Sequence, residues 1–216
     1  MDEENMNDED FNECSDKTFA AIGVLKTIST LCISVDNSKE ILSKLEEVVA
    51  PIIAFIFEKS IEDLYDDAFD IADTLTYCAK VISPNMWHIF GLIYTTFKDN
   101  VSENIEEMLP ALSNYICYGR ESFRTNPDLQ RCMVELIECV IKQPYSEETD
   151  KTISCVLIET MLLNLRGAVD VYVGRFLEFA ILTLKGQIKT TSYLVHILEV
   201  VSFFSLSKFS PLFEPI

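Results

Sequence analysis

The chain has 216 residues, 49% of them hydrophobic, and a formal net charge of -18 from 35 acids against 17 bases. That length is ample for a buried core, while 6 Gly and 7 Pro are too few turn formers for an all-β fold. So negative a balance repels nucleic acid and anionic membrane surfaces, and makes a basic protein the natural partner.

The seven cysteines, Cys14, Cys32, Cys78, Cys117, Cys132, Cys139 and Cys155, form no C-x-x-C pair and fall mostly at apolar helix positions. They read as reduced core residues of an intracellular protein. The N-terminus is acidic where a secretory signal needs a basic region, so no signal peptide is expected. The longest uncharged run, Val81 to Phe97, is too short as one helix to cross about 30 Å of hydrocarbon, so no membrane span is expected.

Met1 to Asp16 carries eight acids and no Lys or Arg. With Phe11 its only aromatic, this segment (1–16) is predicted to be a disordered acidic tail. Helical periodicity begins at Lys17, where Phe19, Ile22, Leu25, Ile28, Leu31 and Cys32 form a stripe. Asn37, three residues before Glu40, predicts a capping-box start for the next helix, whose face runs from Ile41 to Ile56 and contains Pro51. Ile61 to Asp99 then reads as a pair of amphipathic helices. The first places Ile61, Leu64, Tyr65, Ala68, Phe69, Ala72 and Leu75 on one face. Lys80-Val81-Ile82 ends it, Ser83 offers an N-cap, and Pro84 takes the first helical position, where its missing N–H costs nothing. Met86, Ile89, Phe90, Ile93, Tyr94 and Phe97 form the second face, with Trp87 expected as a core anchor between helix pairs.

Asn104 marks another start, with Pro110 inside the helix. Arg120 to Asn126 reads as a loop, and Asn126-Pro127 repeats the cap-plus-proline start. Gln143-Pro144 stops that helix and Ser146 is predicted to cap the next, which ends near Gly167. Helices over Val169 to Leu184 and Ser192 to Leu206 follow, and 209–216 reads as a tail where a longer array is cut. A helix pair thus recurs about every 40 to 46 residues, the period of HEAT and armadillo arrays. The predicted fold is all-α, an α-solenoid of HEAT-type antiparallel helix pairs over 17–208; a closed helical bundle is the alternative.

The stretches KTFAAIGVLKTISTL, NSKEILSKLEEVVAPIIAFIF, DLYDDAFDIADTLTY and above all ISPNMWHIFGLIYTTF resemble the importin-beta (karyopherin) superfamily, in the branch of importin seven and importin eight. The likeness is clearest from Lys17 to Tyr118 and rests most on the SPxMW pattern, here Ser83, Pro84, Met86 and Trp87. It implies an internal segment of a much longer HEAT solenoid that carries basic cargo such as histones and ribosomal proteins through nuclear pores. It also implies, for the full-length family, partnership with the GTPase Ran and nuclear pore proteins, and residence in cytoplasm, nucleus and nuclear envelope. The family's principal Ran-binding repeats have no counterpart here.

No G-x-x-x-x-G-K or G-x-G-x-x-G is present, and the two histidines, His88 and His196, each lie in an apolar helix, so neither an enzyme nor a cofactor or metal is expected. Two acidic groups are the partner-binding candidates. One is the N-terminal set Asp2, Glu3, Glu4, Asp8, Glu9 and Asp10. The other is Glu62, Asp63, Asp66, Asp67, Asp70 and Asp73, which at helical spacing fall opposite the apolar stripe with no Lys or Arg among them. Its like-charge i, i+4 pairs each cost a few tenths of a kcal/mol. A merely solvated, solubilising face is the alternative, in which case the chain is a structural HEAT scaffold without transport activity. Glu46, Glu47, Glu58, Glu103, Glu106 and Glu107 extend the same negative field.

Overall fold

Residues 8–99 and 103–209 are described by a computed structural model, with side chains over 16–99 and 103–203. They form ten α-helices and one 3-10 turn, with no strand among the described residues. The helices are α1 (Asp8–Ser34), α2 (Lys39–Glu58), α3 (Tyr65–Ala79), α4 (Pro84–Phe97), α5 (Ile105–Tyr118), α6 (Arg120–Thr125), α7 (Pro127–Lys142), α8 (Glu148–Asn164), α9 (Asp170–Lys185) and α10 (Thr191–Phe209). The fold is the expected all-α array of HEAT-type helix pairs. Two compact units, 1–92 and 93–216, divide the chain within α4.

In the first unit α3 packs against both α1 and α2. The predicted face of α3 is buried: Ala68, Phe69 and Ala72 are fully enclosed, with Leu75 beside them. Phe69 and Tyr65 lie 5.1 and 5.8 Å from the ring of Phe57 on α2, at the tilted angles aromatic pairs favour. Against α1, the hydroxyls of Ser29 and Thr74 hydrogen-bond at 3.2 Å, so neither is left unpaired in the core. A left-handed residue, Lys80 (φ 53°), ends α3. Ser83 then caps α4 as predicted, its hydroxyl accepting from the Met86 amide at 3.1 Å. In the second unit α8 is the hub, packed on α5, α7 and α10, and α10 packs on α9. Helices packing both on a chain neighbour and on one further along is how stacked helix pairs share a core. Glu148, at the start of α8, accepts the amides of Lys189 and Thr190 at 2.8 and 2.7 Å and so fixes the entry to α10. Those hydrogen bonds, the Lys189 amide first, hold its carboxyl below the usual range.

Several local expectations need correcting. α1 begins at Asp8, so Asp8 to Asp16 are helical rather than a disordered tail. Extending a formed helix needs one hydrogen bond per residue, and carboxylates suit its positive end. Residues 1–7, with Asp2, Glu3 and Glu4, lie outside the described residues. The buried seam of α1 is Leu25, Ser29 and Cys32, whereas Phe19 is 69% and Leu31 48% exposed. One narrow i, i+4, i+7 row meets α3, and the rest of the predicted stripe does not. The cap of α2 is Ser38 rather than Asn37, and that of α8 is Glu147, whose amide donates to Asp150 at 3.0 Å. Ser146 is instead buried, with no partner for its hydroxyl among the described residues. The expected loop after Gly119 is the short helix α6, held to α7 by Gln130, whose side-chain amide donates to the Phe123 carbonyl at 2.6 Å.

Among the described residues one stretch, Asp16–Ser34 of α1, is long and apolar enough by length and composition to cross a membrane. The expectation of no span, drawn from Val81 to Phe97, overlooked it. Length and composition alone are weak grounds, and α1 uses this stretch to pack on α3.

Candidate functional site

The second acidic group starts where α2 stops. Ser60 turns the chain in the left-handed region (φ 52°), and Glu62–Leu64 form the 3-10 turn that leads into α3. Glu62 and Asp63 stand exposed on that turn, and Asp66 and Asp70 stand exposed one helical turn apart on α3. None of these four carboxylates has an ion-pair partner among the described residues. The two remaining members of the predicted set behave differently. Asp73 is half-buried, and Asp67 is only 9% exposed. An acidic face of six is therefore a face of four. The reason is that α3 is flanked by α1 as well as α2, so little of its circumference is left to solvent.

Desolvation pushes the Asp67 carboxyl up; the Lys26 ammonium on α1 acts in the opposite sense, and the Asp66 and Asp70 carboxylates raise it further. Its folded pKa thus lies above the unfolded value, and the folded state holds the proton more tightly. The resulting stabilisation is present at low pH and is lost as pH rises from the unfolded carboxylate range through the folded pKa. Asp67→Asn should therefore stabilise the protein at pH 7 and leave it little changed at pH 3. Urea midpoints at the two pH values check this; an Asn variant less stable at pH 7 would show that the carboxylate is favourably held.

The structure also reassigns Glu46. It is buried at 8% exposure and accepts from the Ser83 hydroxyl at 2.5 Å and the Asn85 amide at 3.2 Å, tying α2 to the start of α4. It holds the fold and does not extend the field. Glu47 and Glu58, by contrast, are exposed along an open groove of about 400 Å³ whose lining includes Ala50, Pro51, Phe55, His88 and Ile89. Trp87 is half-buried, its ring edge-on to Phe90 at 5.8 Å, so it is a flanking residue rather than an enclosed anchor. Met86, Ile89 and Phe90 take the buried positions of α4 in this unit. Asp8, Glu9 and Asp10 lie on the first turn of α1, their side chains outside the described set.

Comparison with known proteins finds importins. Importin-8 of Mus musculus is 26% identical over 193 residues, covering 89% of this chain and 19% of its own length. Importin-8 of Danio rerio is 28% identical over 201 residues, again 89% of this chain and 19% of its own. A probable importin-7 homolog of Dictyostelium discoideum is 24% identical over 198 residues, 90% of this chain and 19% of its own. The chain is similar to these importins along about nine-tenths of its length. The importins it resembles are importin-8 and a probable importin-7 homolog, and the helix pairs described above are of the HEAT type. No family model matches the chain, and no solved structure matches it. The chain spans about a fifth of the length of these importins.

Proposed function

We propose that this chain is the part of a nuclear transport receptor that holds basic cargo, with Glu62, Asp63, Asp66 and Asp70 as its contact surface. The observation that carries this reading is the local one: four exposed carboxylates without counter-ions, gathered on one turn and one helix start, in a chain related to importins. Histones and ribosomal proteins fit the required charge, and the acid-rich start of the chain adds to the field that draws them in. The protein would then move between cytoplasm and nucleus and visit the nuclear envelope, with Ran and pore proteins engaging other parts of the receptor. This chain alone is expected not to bind Ran in its GTP form with the affinity of a full receptor; tight, GTP-dependent binding in a calorimeter would contradict that.

The reading is tested by titrating the labelled chain with a purified core histone at low and at high salt. Acidic capture weakens steeply with ionic strength, because exposed charges are screened within about 8 to 10 Å at physiological salt. A second reading, a scaffold that docks partners through apolar contacts, is favoured by the exposed Val24, Val48, Ile52 and Phe55 of α1 and α2. On that reading affinity for a partner changes little with salt, and a histone is not bound.

A further inference from the structure

In the second unit one group of side chains has more acceptors than protons. Glu159 on α8 and His196 and Glu199 on α10 converge, with Nδ1 of His196 3.0 Å from Oε1 of Glu159 and 3.0 Å from Oε2 of Glu199. One potential ligand atom from each residue lies within 4.8 Å of the other two. A single Nδ1–H cannot fully serve two carboxylates. The positions are set by helices: His196 and Glu199 are one turn apart on α10, and Glu159 projects from α8, against which α10 packs. The Glu159 and His196 side chains are 14% and 27% exposed, while Glu199, at 48%, leaves one side of the group open to water. Two carboxylates thus flank one imidazole nitrogen at 3.0 Å, with one side of the group open to water.

We propose that Glu159, His196 and Glu199 form a binding site for a divalent transition-metal cation of the zinc class, with water completing the open side. One imidazole nitrogen and two carboxylate oxygens suit Zn²⁺ and its neighbours, whereas Mg²⁺ and Ca²⁺ prefer oxygen alone. Zinc bonds of about 2.0 to 2.2 Å in tetrahedral array set neighbouring ligand atoms roughly 3.3 to 3.6 Å apart, so the nitrogen–oxygen separations need open by about 0.3 to 0.6 Å. Cys155, one turn before Glu159, stays out of the set, since its thiol is fully buried and burial pushes it well above the usual thiol range. An ion here would clamp α8 to α10, and its affinity would appear as stability of the unit.

The test uses the full chain, stripped with chelator, kept reduced, and titrated with ZnCl₂ and CoCl₂. One equivalent of Zn²⁺ should bind and raise the melting midpoint, while MgCl₂ at the same concentration moves nothing. The Co²⁺ form should show d–d bands without thiolate charge-transfer absorption. Glu199→Gln, at the exposed position, and His196→Asn should each weaken Zn²⁺ binding at least tenfold, with circular dichroism confirming that both are folded. No midpoint shift in the parent means that the group holds only a proton, and overturns the proposal. So does a thiolate band with Co²⁺, or undiminished Zn²⁺ affinity in Glu199→Gln, since cysteines then hold the metal.

Discussion

Phe69→Ala should cost the protein about 3 to 5 kcal/mol, and Trp87→Ala less than half as much. Phe69 on α3 is fully enclosed, 5.1 Å from Phe57 on α2, so removing the ring leaves a cavity in the core. Trp87 is larger but half-buried, so much of the volume it vacates fills with water and its lost transfer energy is smaller. Urea unfolding of the two variants measures the order. Equal costs, or a greater cost at Trp87, would mean that the indole is enclosed and that the SPxMW stretch anchors the core through Trp87 rather than through Met86 and Phe90.

The second large effect concerns charge. Changing Glu62 to Gln and Asp63, Asp66 and Asp70 to Asn together should raise the rate at which a bound histone leaves by tenfold or more, on the scale of about 1.4 kcal/mol per decade. Carboxylates at the contact itself hold a bound partner and so act on release, while charge outside the contact acts mainly on the rate of encounter. Removing Met1 to Asp16 should accordingly slow association more than it speeds dissociation. The four substitutions remove the Glu62–Asp66 and Asp66–Asp70 like-charge spacings, so the free protein should lose no stability by them.

Which parts of this were legible beforehand follows from how local each signal is. The turn between α3 and α4 was readable because its cap, its proline and its apolar faces all lie within a few residues. Ser83 and Pro84 stand where predicted, as does Asn126, which accepts from the Asp128 amide at 3.0 Å before Pro127. The acidic face was only partly readable. Helical spacing places Asp67 beside Asp66 and Asp70, but whether that position meets water depends on α1, whose contact lies more than 30 residues upstream along the chain. Glu46 reads as a free acid for the same reason, since its partners Ser83 and Asn85 are 37 and 39 residues away. Asp67 and Glu46 show tertiary contacts overriding a pattern that was correct as a pattern. The Glu159, His196 and Glu199 group was not legible at all: an i, i+3 His and Glu on one helix is unremarkable until a neighbouring helix supplies the third group.

The cargo-holding account stands most directly on the location of the charge, and a charge-matched comparison isolates it. Histone dissociation is measured at low salt from the parent, from the variant neutralised at Glu62, Asp63, Asp66 and Asp70, and from a control neutralised at Asp99, Glu121, Asp170 and Glu178. The control positions are exposed and lie in the second unit, so both variants lose the same formal charge. The account predicts fast release from the first variant and parental release from the control. Equal release from both would mean that only total charge matters, and would contradict the assignment of cargo binding to the turn and first helical turns of α3.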